Sequence, residues 1–325
     1  MLYTGTGVTN NVTGLGFKPD FVWVKKRNLA EQHELQDSVR GATKRLASNL
    51  VASETTVAGS ISSFDSDGFT VVDAGSTNEN THTYVGWAWK AGGNSSTFNI
   101  DGRGYATAAE AGLDGGTITP TGASVNTESG FSIITYTGDG NTSSGVTINH
   151  GLGDTPAFII TKKRSSGTTD YGWSCWHKDL GGNYGIWLHL GNTRNPSMWA
   201  GYTNISSTVF SPPDLNYGNE NTQTYVNYLW SEVPGFSKFG TYLGNGAVDG
   251  PLIECGFRPA WVMVKVAGGS TGNSWTVWDN KRDTHNQMDL YLHPNETQED
   301  GTYVDIKMDF YANGFKPRGL SLIHI

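Results

Sequence analysis

The string NENTHTYVGWAW at residues 78–89 returns almost unchanged as NENTQTYVNYLW at 219–230, so the chain must fold as copies of one module. A second landmark, GFKPDFVWVKKR at 16–27, is echoed by GDTPAFIITKKR at 153–164 and by GFRPAWVMVKVA at 256–267. Each is preceded by a Tyr and Gly motif, YTGTG from Tyr3, YTGDG from Tyr136 and YLGNG from Tyr242. Order is kept as well as content. The expected organisation is module 1 over 1–93, a linker or insertion over 94–129, module 2 over 130–233 and module 3 over 234–319. Module 3 shows no second Tyr-Val-x-x-x-Trp string, and module 1 has no Gly-Phe-Ser lead-in like Gly130–Ser132 or Gly235–Ser237. Both ends therefore read as trimmed. Residues 320–325 are expected to be a non-native tail, because Ser321–Ile325 has no counterpart and looks like translated sequencing adapter.

The alternation within these landmarks names the element. Phe21, Trp23 and Lys25 alternate with Val22, Val24 and Lys26, so a strand here is apolar on both faces and lies inside the fold. In 83–89, Val85, Trp87 and Trp89 share one face. With 43 Gly for tight turns and only 16% charged residues, the composition suits many short strands better than helical bundles. The fold class predicted is all-β: tandem antiparallel β-sandwich modules, jelly-roll or lectin-like, the third incomplete. Leu35, Val39, Leu46 and Leu50 have helical spacing, but their counterparts at 275–295 begin Trp-Thr-Val-Trp-Asp, so short strands are expected in both. The Gly-, Ala-, Ser- and Thr-rich residues 94–129 predict a flexible linker or an inserted surface excursion, with a helical turn near Ala106–Gly112.

A formal charge of −8 argues against duplex nucleic acid or an anionic membrane as partner, since both demand a basic footprint. No apolar run reaches the roughly twenty residues of a membrane span, and no export signal is read at the start. Cys175 and Cys255 fall at non-equivalent places, so no bridge is expected.

Several strings imitate catalytic or metal sites. Gly268-Gly269-Ser270-Thr271-Gly272 matches a nucleophile elbow, but it joins two strands and the matching loops of the other modules lack it, which predicts a plain hairpin loop. Asp65-Ser66-Asp67-Gly68 resembles the opening of a calcium loop without its closing glutamate, which predicts an Asp turn. His33-Glu34 lacks a second histidine four residues on, so neither metal nor cofactor is expected. The trios Asn78-Glu79-Asn80 and Asn219-Glu220-Asn221 precede a strand, where turn capping is the expected role and a ligand site the alternative. Eleven tryptophans exceed what three small cores need, and sugar rings stack on aromatic faces. Trp173, Trp176, Trp187, Trp199 and Tyr202, with Asn219 and Asn221 to fix hydroxyls, are therefore the candidate ligand-binding set, with core packing as the competing role of each tryptophan.

GFSIITYTGDG at 130–140 and INHGLGDTPAFIITKKR at 148–164, with RGATKRLASN at 40–49, SFDSDGFTVV at 63–72 and TYVGWAWKAGG at 83–93, resemble a repeated module of tailed-bacteriophage virion proteins, common in marine phage tail and fibre sequences. The resemblance implies a lectin-like sandwich in a virion appendage, touching other virion proteins and contacting host-surface polysaccharide, in which a homotrimer would not be unusual. It carries no catalytic residues. The expected function is a non-enzymatic tail or tail-fibre component contributing to glycan attachment, strengthened by repetition. The alternatives are a spacer without ligand and a polysaccharide depolymerase. The last would need two positioned carboxylates, for which the equivalent Asp37 and Asp279 are candidates although His177 stands there in module 2.

Overall fold

A computed structural model describes residues 1–72, 75–166, 172–199, 204–268 and 273–319. The described chain is all-β, built of antiparallel sheets with a sandwich arrangement and no closed barrel. In module 1 the main sheet runs in the order Leu2–Thr4, Thr83–Trp89, Phe21–Lys26, Glu34–Asp37, antiparallel throughout. A smaller sheet of Asn10–Thr13, Gly68–Val71 and Ile61–Asp65 covers one face. Val12, Val22, Val24, Ile61, Phe69, Val71 and Tyr84 fill the space between the two. The odd-numbered set Phe21, Trp23, Val85 and Trp87 points the other way and is buried too, which is why this strand is apolar on both faces. The helical spacing around Leu35 and Leu46 is overridden, as expected, by strands Glu34–Asp37 and Lys44–Arg45.

Module 2 repeats the sheet as Phe131–Thr137, Thr224–Ser231, Pro156–Lys163, Trp173–His177 and extends it to eight strands. The extension on one side comes from residues 94–129. They are no flexible linker: Phe98–Ile100 pairs in parallel with Gly122–Asn126 and antiparallel with Arg103–Tyr105, and Gly122–Asn126 zips onto Phe131–Thr137. Phe98, Leu113, Ile118, Ala123 and Val125 are buried in the core of module 2 beside Ile134, Ile148 and Trp176, which holds the insertion down. Its small residues reflect close packing rather than slack, since a Cβ on Gly116 would fall 2.6 Å from Thr147 O. Near Ala106–Gly112 the chain makes a single turn, Ala111 N–H donating to Thr107 O at 3.2 Å.

Module 3 has Trp261–Val264 paired with Thr276–Asp279, and a sheet of Ile253–Glu254, Gly314–Arg318 and Lys307–Tyr311. The segment Thr241–Leu243, equivalent to Leu2–Thr4, forms no strand.

The modules are not beads on a string. Phe21 and Trp23 of module 1, Phe131, Phe158, Trp173 and Tyr228 of module 2, and Trp275 and Val277 of module 3 belong to one continuous core. Three equivalent residues close a ring around it. Trp173 Nε1 donates to Ala47 O at 2.8 Å, Trp275 Nε1 to Trp187 O at 2.8 Å, and His33 Nε2 lies 3.0 Å from His293 O. Module 2 thus holds module 1, module 3 holds module 2, and module 1 holds module 3. The backbone repeats the cycle in the other sense: Glu54 N–H to Arg164 O and Asp300 N–H to Arg27 O at 2.8 Å, and Arg194 N–H to Ala267 O at 3.2 Å. Each module buries the second apolar face of its main sheet only by contact with the other two. With about 1.5–3 kcal/mol per large apolar side chain removed from water, that contact is a main source of stability.

Candidate functional site

The strongest concentration of charge lies at two junctions of this ring. At the first, the Asp37 carboxylate accepts from the backbone N–H of Val39 and Arg40, from Arg40 Nε, and from the Tyr228 hydroxyl of module 2 at 2.7 Å. Arg40 continues to Glu54 at 2.9 Å, which Arg164 of module 2 grips at 3.0 Å. At the second, Asp279 holds Arg282 at 2.6 Å and accepts from Trp87 Nε1 of module 1 at 3.0 Å, while Asp300 bridges Arg282 at 2.9 Å and Arg27 of module 1 at 2.7 Å. The two are the same lock made twice. Burial alone would lower the Arg40 pKa, but the Asp37 charge, with Tyr228 and Glu54, outweighs it and raises the value. Burial likewise pushes the Glu54 and Asp279 carboxyls up, and their arginines overcome it and hold both below the ordinary range. The carboxylates weighed for a depolymerase, Asp37 and Asp279, are thus both buried, each in an ion pair within its own module that also accepts a hydrogen bond from a neighbouring one, and present no free oxygen to a sugar.

The structure separates most of the candidate ligand set. Trp173 and Trp199 are fully buried and Trp176 is buried at 8% exposure. Trp187 is half-buried, its ring edge-on to His189 and Tyr217. Tyr202 lies outside the described residues. Trp173 belongs to the shared core, while Trp176 and Trp199 fill the core of module 2, so these three rings have no free face for a sugar to stack on. Asn219 is buried as a cap: its amide donates to Asp139 Oδ1 at 2.8 Å and Asn141 O at 2.9 Å, and its oxygen accepts from Asp139 N–H. Asn78 does the same for Thr6 N–H at 3.0 Å and for Val8 O. Asn221 is exposed, close against Gly140, where a Cβ would meet the Asn221 Cβ at 2.8 Å. The Tyr-x-Gly-x-Gly motif and the Asn-Glu-Asn trio are therefore two halves of one interlocked turn. A Cβ on Gly5 would sit 2.1 Å from Glu79 O and one on Gly138 2.4 Å from Glu220 O, so only glycine fits there.

The other mimics resolve as turns. Asp67 accepts from Gly14 and Gly16 N–H, and Asp65 from Ser63 and Thr70 hydroxyls. Among the described residues, no three His, Cys, Asp or Glu side chains come together to hold a metal. Residues 269–272 of the elbow-like string lie outside the described residues. A cleft of about 220 Å³ lined by Ile100, Leu113, Asn149, Gly151 and Thr208 lies where the insertion meets module 2. Asn149 anchors it through Nδ2 to Gly112 O at 3.3 Å, and its buried Oδ1 has no hydrogen-bond partner. Sequence reading missed this cleft because it arises only when the 94–129 insertion folds against the 149–153 loop.

A family model described as a domain of unknown function, DUF7483, matches residues 1–323. One family model thus covers all three modules. No curated protein and no solved structure matches the chain.

Proposed function

We propose, from the premise that the chain belongs to the DUF7483 family of unknown function, that it is a non-enzymatic structural component of a tailed-phage virion, a rigid block in a tail or tail fibre. The observation that carries the structural part is the ring: three modules share one core, and the ion pairs of Glu54 with Arg164 and of Asp300 with Arg27 join them across two of its junctions. None of the eleven tryptophans is exposed, which supports a load-transmitting body over an aromatic glycan platform. The virion assignment rests on the sequence resemblance. A second reading, attachment to host polysaccharide, draws support from the cleft at Asn149 with its unpartnered buried oxygen.

Two measurements separate these readings. Immunogold labelling with antiserum to this chain should decorate the tails of phage particles that carry the gene; particles free of label would refute the virion role. Retention of the chain on candidate host polysaccharides, with polymer length followed in parallel, tests the rest. Retention abolished by Asn149→Ala makes the protein an adhesin, no retention leaves the structural block, and shortening of the polymer overturns the non-enzymatic reading.

A further inference from the structure

Of the three equivalent contacts that close the ring of modules, two are made by tryptophan and one by histidine. Trp173 and Trp275 donate through a ring N–H that keeps its proton at any ordinary pH, whereas the residue in their place in module 1 is His33, fully buried against module 3. That seam differs in connectivity too. Module 2 follows module 1 along the chain and module 3 follows module 2, but modules 1 and 3 meet only through space.

Both nitrogens of the His33 imidazole are engaged. Nδ1 lies 2.9 Å from Trp23 Nε1, which can only donate, so Nδ1 accepts. The proton of the neutral imidazole therefore sits on Nε2 and is given to His293 O at 3.0 Å across the seam. A second proton, on Nδ1, would point at the Trp23 N–H and leave two buried donors without an acceptor. The titratable and charged groups that face the imidazole are Lys25 of its own module and Arg282 and His293 of module 3, and none is an acid. The carboxylates of the seam, Asp279 and Asp300, are taken up by Arg282 and Arg27. Burial, with the Lys25 and Arg282 charges, accordingly holds His33 well below its ordinary 6.5. Ser48 Oγ donates to Pro294 O at 2.6 Å and Glu31 N–H to Thr297 O at 2.8 Å. Both reach the same segment of module 3 as His33 does, so parting His33 from His293 breaks them with it.

We propose that the contact between modules 1 and 3 is an acid-sensitive latch, in which His33 can take up a proton only when the two modules part, while the other two junctions of the ring stay closed. Closed, the imidazole is neutral; open, it titrates near the ordinary histidine value of about 6.5. The depressed value in the closed form fixes the sign: the latch is favoured above 6.5 and gives way as pH falls. One proton bound only by the open form favours opening about thirtyfold between about pH 7.5 and pH 5. The proposal is independent of the virion assignment.

Four backbone N–H groups report on the junctions separately: Glu31 and Asp300 donate across the latch, Glu54 between modules 1 and 2, and Arg194 between modules 2 and 3. The test is amide hydrogen exchange of the full chain at the two pH values, corrected for the intrinsic exchange rate. Protection of Glu31 and Asp300 should fall about thirtyfold while Glu54 and Arg194 keep theirs. In His33→Gln, whose side chain takes up no proton, the loss should disappear. Equal loss at all four amides, no loss at Glu31 and Asp300, or an undiminished loss in His33→Gln overturns the proposal. A second readout needs no variant: by NMR of the unaltered chain, a His33 imidazole that protonates at its ordinary value while Glu31 and Asp300 stay protected overturns it as well.

Discussion

Replacing Asp37 by alanine should destabilise the whole molecule more than replacing Asp37 and Arg40 together. The Arg40 side chain is fully buried, and removing one partner of a buried pair costs about 3–5 kcal/mol because the other charge is left uncompensated. Glu54 remains 2.9 Å from Arg40 and puts the charge term near the lower end, about 3 kcal/mol. The Tyr228 hydroxyl loses its acceptor, adding about 1 kcal/mol, for about 4 kcal/mol in all. Module 2 shows an uncharged solution at the same place, with His177 and Leu180 standing where Asp37 and Arg40 stand in module 1. The double variant Asp37→His, Arg40→Leu leaves no buried unpaired charge and should cost about 2 kcal/mol or less. Urea unfolding followed by circular dichroism measures both, the midpoint shift converting to free energy at constant slope. The shared core predicts one cooperative transition for all three modules. If the double variant costs the sum of the two single ones, the residues are uncoupled and the reasoning fails.

Three further outcomes follow from the same geometry. Burial holds His33 well below its ordinary 6.5 and His150 and His189 at about 4. Their folded pKa values are depressed, so their contribution to stability is complete above pH 6.5 and is lost as pH falls toward 4. Glu54 and Asp279 act in the same direction at lower pH, and Asp20, pushed up by burial, opposes them in part. The urea midpoint should therefore drop between pH 7 and pH 5, and less so in His33→Gln. Gly5→Ala, whose Cβ meets a backbone carbonyl at 2.1 Å, should cost about 3 kcal/mol in the same assay. Gly153→Ala, at φ +74 with nothing within 4 Å, should cost only the left-handed strain of about 1–2 kcal/mol. Acrylamide should quench the tryptophan fluorescence of the folded chain weakly, since seven of the eleven rings are buried and none is exposed, and quenching as strong as in the unfolded chain would contradict that burial.

The repeats, their order and the all-β class were all legible in the sequence, because a strand declares itself by period two and a repeat by identity, both local properties. Asp65, Asp67, Asn78 and Asn219 could be read as turn residues from residue type and immediate neighbours, although Asp67, Asn78 and Asn219 bond loops remote in sequence that strand pairing brings alongside. Trp173, Trp176, Trp187 and Trp199 were less tractable. An aromatic ring exposed for a sugar and one buried against another module look alike in a string, and only the ring of modules decides between them. The equivalence of Asp37 and Asp279 was visible in the sequence, but the purpose of Asp37 depends on Tyr228, and that of the Arg40–Glu54 pair beside it on Arg164, which come from a different module.

What the sequence by itself determined is therefore the module: its strands, its turns and the glycines its interlocked turn requires. What only the tertiary structure decided is the relation between modules: a closed ring instead of a string, with Asp37 and Asp279 drawn into buried charged locks at its junctions. The physical reason is that an apolar strand face specifies burial without specifying the partner. Three like modules, each with a second apolar face to cover, settle that choice only when all three are folded against one another.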